Sequence, residues 1–203
     1  VSLWVGDLST RGYLVSSLAR KITGIRMLAR YLVRERFRED DFTELLIGPR
    51  MVRKPPGALT VQEVERLLES PNNKTPQGVR DRAILELLYA SGMTASELIQ
   101  LKERDLLPQS GLVRILGKGA RKRTVPIGEP AVEALSRYAN GARPELLNVN
   151  PDNISVFFLN ARGRALSRMS VWKIIKSAAR AAGIQREVSP HTLRHTFAAH
   201  LVD

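Results

Sequence analysis

The chain has 203 residues, 43% of them hydrophobic, and a net charge of +12 from 32 Lys and Arg against 20 Asp and Glu. That length and apolar content support one large domain, or a full domain plus part of another. The charge is too positive for a typical metabolic enzyme and points to a polyanion partner. Cysteine is absent and aromatics make up only 5%, which excludes disulfides and thiolate metal sites and leaves little to stack single-stranded bases on, so a backbone-reading duplex binder is favoured.

Residues 1–13 show no clear period, although Trp4 and Leu8 are placed to close a small core. From Leu14 to Phe37 the spacing predicts a helix, with Leu14, Leu18, Ile22, Ile25, Leu28 and Leu32 at three- and four-residue steps. Its other faces carry Arg20, Lys21, Arg26, Arg30, Arg34 and Arg36. Such a face is often simply solvated. In a polyanion binder it also offers phosphate contacts, with Arg20, Lys21 and Arg26 the candidates. The acidic patch Glu39–Asp41 follows, and then a short helix is expected around Phe42–Ile47. Residues 49–58 read as a linker, rich in proline and bearing Arg53 and Lys54, two further candidates for contact with a duplex. They separate a first domain at 1–48 from a second at 59–203.

The second domain opens with Thr60 as helix cap and Glu63 three residues on, the pattern of a capping box. A helix over Gly78–Ala90 turns Ile84, Leu87 and Leu88 inward and stops at Ser91-Gly92; a short helix is expected over Thr94–Leu101. Near residue 111 the period changes to two. Leu112, Arg114 and Leu116 alternate with Val113 and Ile115, and Arg123–Ile127 returns after the basic, glycine-punctuated connection Gly117–Lys122, predicting a β-hairpin. Arg121 and Lys122 in that connection are candidate phosphate contacts. A nucleotide-binding phosphate loop is excluded: the glycine spacing is wrong, Gly119 stands where Ser or Thr is required, and no helix follows directly. Then come a helix over Pro130–Ala142, a short strand at Val156–Leu159, a turn at Asn160–Arg164, and a Ser167-capped helix to about Ala182. That last helix bears Arg168 and Lys173, again candidates for DNA contact.

All three histidines lie in Ser189–His200. Ser189 as cap and Pro190 in the first turn predict a helix start that brings His191, Arg194 and His195 within one turn. A guanidinium, an imidazole and the positive end of a helix together suit an anion, most simply a phosphate. A metal site is disfavoured because no carboxylate or cysteine joins the histidines.

The hairpin with Gly117-Lys118-Gly119 and, about seventy residues on, Ser189-Pro190-His191-Thr192-Leu193-Arg194-His195-Thr196-Phe197-Ala198-Ala199-His200-Leu201 resemble the tyrosine recombinase (phage integrase) family, and within it the Xer-type recombinases that resolve chromosome dimers. Leu88–Gly92, Ser96–Leu98, Tyr31–Asp41 and the linker match as well. The resemblance implies a mainly α fold with a small β-sheet (α+β): a catalytic domain at 59–203 preceded by a partial, all-helical core-binding domain, the two clamping double-stranded DNA. It implies site-specific recombination through a 3′-phosphotyrosine link, self-association or a paralogous partner on DNA, no membrane, no metal and no other cofactor, and a cytoplasmic, nucleoid-associated location. It assigns Lys118 to protonating the leaving 5′-oxygen, and His191 and Arg194 to holding the non-bridging phosphate oxygens. His195 and His200 are expected to be scaffold residues, in the core or behind the site.

Two departures are expected to matter. The family's first catalytic arginine falls at Thr94, which cannot supply a second positive fork. The family's nucleophile lies beyond the helix of His191, and none of Tyr13, Tyr31, Tyr89 and Tyr138 stands in its context. The 203-residue chain is therefore expected to be inactive as given, either as a recombinase that needs more chain or as a degenerate relative that only binds DNA.

Overall fold

The computed structural model describes residues 2–48, 57–117, 119, 121–149 and 155–202. The chain divides into two units, Val1–Pro55 and Pro56–Asp203.

The first unit is built on α1 (Ser2–Thr10) and α2 (Val15–Arg34). Among its described residues Leu8, Leu18, Ile22, Ala29 and Leu46 are the buried hydrophobics, while Trp4 stays partly exposed. The predicted six-residue stripe is only partly used. Leu14 is 73% exposed and Leu28 51%, because nine-residue α1 is too short to cover a twenty-residue helix. The helix also stops sooner than its pattern suggests. Arg36 takes a left-handed backbone with φ 59°, and the Phe37 and Arg38 N–H groups turn back onto the Leu32 carbonyl. The helix expected around Phe42–Ile47 is instead a run of turns. Asp41 Oδ1 accepts from both Thr43 N (2.8 Å) and Thr43 Oγ1 (2.5 Å). This side chain competes for the donors a helix would need.

In the second unit α3 (Val61–Glu69) begins with the predicted capping box, Glu63 N donating to Thr60 Oγ1 and Thr60 N to Glu63 Oε2. α4 (Pro76–Ser91) is the central helix, with Ile84, Leu85, Leu87 and Leu88 all fully buried. It starts two residues ahead of the expected Gly78, because Thr75 caps it and Pro76 fills its first turn. One turn, α5 (Ala95–Leu98), is all that forms of the helix expected to Leu101. Three antiparallel strands follow, β1 (Leu106–Leu107), β2 (Leu112–Leu116) and β3 (Lys122–Pro126), in that order across the sheet. β2 and β3 are the predicted hairpin, in register Val113 with Val125 and Ile115 with Arg123. Two-residue β1 is too short to leave a period in the sequence.

The expected Pro130–Ala142 helix is α6 (Glu129–Arg137), a π-helical turn at Tyr138–Ala142, and α7 (Arg143–Leu147). Pro144 explains the break: it has no N–H for the Asn140 carbonyl and its ring would collide with it, and a widened turn relieves both. Val156–Leu159 is not a strand; among the described residues it forms a single bridge, Leu159 to Ala165. Phe157, Phe158 and Leu159 are nonetheless buried. Side chains meet their backbone groups in place of a neighbouring strand: Arg143 Nε donates to Phe157 O (2.9 Å), Arg80 Nη1 to Leu159 O (3.0 Å), and Leu159 N to Tyr138 Oη (3.0 Å). α8 (Arg168–Ala181) is capped by Ser167 and ended by Gly183 at φ 71°, and α9 (Pro190–Val202) closes the unit against α4. No described helix is long and apolar enough to cross a membrane.

Candidate phosphate-binding cleft

A cleft of about 1210 Å³ opens between α5, the hairpin, the start of α8 and the start of α9. Thr94, Gly117, Arg168, His191 and Arg194 all line it. Local sequence sets each wall. Ser189 Oγ accepts from Thr192 N (3.2 Å), so α9 starts at Pro190 as predicted. Thr192, Leu193 and Thr196 then form the buried side of α9, and His191 and Arg194 are left exposed.

Arg194 is held by the C-terminus of α4. Its Nη1 donates to the Gly92 carbonyl at 2.9 Å. Gly92 sits in the left-handed region with φ 57°, and a Cβ there would come within 2.4 Å of the Phe197 ring. Only glycine satisfies both the turn and the approach of α9. A two-sided guanidinium with one edge fixed to the backbone keeps donors for an oxyanion.

Thr94 is the cap of α5. Its Oγ1 accepts from Glu97 N (3.3 Å) and donates to Glu97 Oε2 (2.9 Å), which also receives Thr94 N at 2.7 Å. Arg123 of β3 grips the same carboxylate, Nη1 to Oε1 at 2.5 Å and Nη2 to Oε2 at 3.2 Å. Burial by itself would raise the Glu97 pKa; the hydrogen bonds from Arg123 and Thr94 outweigh it and hold the carboxyl at about 2. The Thr94 position is thus occupied by a satisfied cap, not by a donor aimed at the cleft.

Arg121 and Lys122 are exposed on the hairpin, and Arg168 and Lys173 on α8; of these only Arg168 lines the cleft. In the first unit Arg20 and Lys21 are exposed, with Lys21 Nζ 5.1 Å from the Tyr13 ring centroid. Arg26 is half-buried and donates to the Leu46 carbonyl at 2.5 Å, so its guanidinium is engaged within its own unit. Lys118, Arg53 and Lys54 lie outside the described residues. Gly117, the neighbour of Lys118 in sequence, is at the cleft edge.

His200 pairs with Tyr89, Nδ1 to Oη at 2.9 Å. His195 is exposed, not a core residue, since it falls one position before the buried Thr196. No tyrosine is among the described residues lining the cleft. Tyr138 is fully buried, and burial pushes its phenol upward, with the Leu159 N–H opposing in part. Glu97 and Arg123 form a pair that the sequence pattern does not announce. The Thr94–Glu97 spacing carried a readable capping signal; nothing in the sequence tied Arg123 to it.

Residues 58–203 match the phage integrase family. Over 199 residues the chain is 43% identical to tyrosine recombinase XerD of Staphylococcus saprophyticus, covering 98% of this chain and 67% of that protein. Among solved structures, a XerA recombinase shares 26% identity at a TM-score of 0.64, covering 96% of this chain and 65% of the other. A XerH site-specific recombinase bound to its difH substrate shares 27% identity at a TM-score of 0.65, with 86% and 50% covered. The chain thus spans about two thirds of the curated relative and half to two thirds of these solved chains.

Proposed function

The chain belongs to the phage integrase family of tyrosine recombinases, and on that footing we propose that it binds double-stranded DNA for site-specific recombination. The reading rests on one observation above all: His191, Arg194 and the Thr94 position, far apart in sequence, line a single cleft. In this reading His191 and Arg194 hold the two non-bridging oxygens of a scissile phosphate. An imidazole and a guanidinium fork at a helix N-terminus fit that charge. Lys118, on the hairpin connection, protonates the 5′-oxygen as it leaves, while a tyrosine oxygen bonds to phosphorus and retains the 3′-end. Residues 1–48 act as core-binding domain, 49–58 as linker and 59–203 as catalytic domain. Arg20, Lys21, Arg53, Lys54, Arg121, Lys122, Arg168 and Lys173 contribute phosphate contacts; Arg26 is better read as a strut within the first unit. The partners on DNA are further copies or a paralogue, and the protein acts in the cytoplasm at the nucleoid.

Thr94 limits the chemistry. A preorganised oxyanion donor contributes about 3–4 kcal/mol to such a step, and here the position is closed by a cap. We therefore read the site as one that holds a phosphate without cleaving it efficiently. The same cap supports a second reading, a non-enzymatic relative that occupies recombination sites as an accessory or competing DNA-binding protein.

Binding to a labelled duplex across a salt series tests the first step. Affinity should fall linearly in log–log form as counterions are released; salt-insensitive binding, or none at low salt, overturns it. A nicked suicide duplex separates the two readings in the full-length protein. A covalent adduct that appears only with Thr94→Arg supports a disabled recombinase, and no adduct in either form supports the accessory reading. An adduct with Thr94 in place overturns the proposed inactivity.

A further inference from the structure

We infer that Arg123 is a positioning residue of the cleft, fixing the end of the hairpin to the α5 turn through both oxygens of Glu97. The inference rests on the duplex-binding reading above.

Arg123 lies one pair short of the hairpin's end: it faces Ile115, and Leu116 with Lys122 is the last pair. Beyond that pair the chain closes through Gly117 N donating to Arg121 O at 2.8 Å. The inner side of β2 is well anchored, with Val113 and Ile115 buried, but every residue of β3 is exposed or only half-buried. Among the described residues β3 pairs only with β2. Past the buried Ile115 and the core-packed Val125, the Leu116–Lys122 end of the hairpin is therefore held weakly by packing. Among the described residues, the Glu97–Arg123 fork is the polar tie from this hairpin to the helices. A Cβ placed on Gly117 would stand 3.3 Å from Arg121 O, 3.8 Å from Arg123 Nη1 and 3.9 Å from Glu97 Oε1, so the pair lies beside the cleft-lining Gly117.

The fork is well made for that task. A planar guanidinium on two carboxylate oxygens resists rotation in a way that a single ammonium contact does not. Glu97 is itself immobilised, since Thr94 N and Oγ1 both donate to it. The Glu97 side chain, one of those lining the cleft, is only 12% exposed and that of Arg123 39%, so the carboxylate is held largely out of solvent. Arg123 thereby sets where Gly117 and Arg121 stand relative to the Thr94 wall. Its charge is spent on Glu97, so it acts through the hairpin and not on a phosphate.

The test is a double-mutant cycle on duplex binding. Arg121→Ala is measured in the wild-type background and in Arg123→Ala, using a labelled duplex of mixed sequence at low salt. In the wild-type background we expect Arg121→Ala to weaken binding about three- to tenfold, as for a phosphate contact. In the Arg123→Ala background the same change should weaken it less than about twofold, because the two residues are coupled. A purely stabilising ion pair would lower the unfolding midpoint yet leave the Arg121 effect the same in both backgrounds, and that result overturns the inference. Arg123→Lys, which keeps charge and loses the fork, should behave like Arg123→Ala; full recovery by lysine also overturns it. Glu97→Gln repeats the cycle with little change in volume if Arg123→Ala does not fold. Wild-type protein that fails to bind the duplex at all would instead sink the DNA-binding reading.

Discussion

Arg194 and Gly92, 102 residues apart, are joined by a 2.9 Å hydrogen bond from a guanidinium nitrogen to a backbone carbonyl. The end of the central helix thus orients the side chain that the phosphate would meet. The carbonyl points there because Gly92 is left-handed, and Phe197, one turn along from Arg194, packs on the same glycine.

Gly92→Ala should therefore harm both fold and site. A side chain at φ 57° costs about 1–2 kcal/mol, and the collision with Phe197 adds about 1–3 kcal/mol of overpacking. Urea unfolding should show a loss of roughly 2–5 kcal/mol. Duplex affinity of the remaining folded protein should fall too, since Arg194 loses its anchor.

Arg194→Lys should not be conservative. Lysine keeps the charge but cannot bond Gly92 and two phosphate oxygens together. Duplex binding should weaken about tenfold by fluorescence anisotropy, and Arg194→Ala should lower the magnitude of the salt slope by about one phosphate contact.

Thr94→Arg should move stability and binding in opposite directions. Losing the cap of α5 costs about 1 kcal/mol, and the unfolding midpoint should drop. The added guanidinium at the cleft should tighten duplex binding. Stability and affinity falling together would count against placing Thr94 at a phosphate site.

Acid should reveal the Glu97 pair. Its folded pKa is about 2, against an ordinary 4.5. The folded value is the lower one, so the stabilisation is fully present above about 4.5 and is lost as pH falls toward 2. Glu97→Gln should be less stable than wild type at neutral pH, and the gap in melting temperature should narrow through that window. Asp81 and Glu86, both pushed upward by burial, have the opposite sign and are common to both proteins.

Tyr138→Phe tests the side-chain substitutes for a missing strand. It strands the buried Leu159 N–H, which donates to the hydroxyl at 3.0 Å. A loss of about 1–3 kcal/mol is expected by urea unfolding.

By itself the sequence determined the elements whose causes are local: the Thr60 and Ser189 caps, the Gly92 and Gly183 helix ends, the alternation of β2, and the hydrophobicity of α4. It also carried His191 and Arg194 as a pair on one helical turn, because that spacing is a property of the helix. Tertiary structure decided whatever depends on a distant partner. Leu28 is exposed because α1 is short, and Phe157–Leu159 needs no strand because Tyr138, Arg80 and Arg143 reach it. His195 is at the surface because α4 selects which stripe of α9 is buried. Arg123 meets Glu97 only when the hairpin packs on α5, and Thr94 and His191 line one cleft only once α9 closes on α4. Those contacts join residues whose separation along the chain carries no periodic signal, so only folding brings them together.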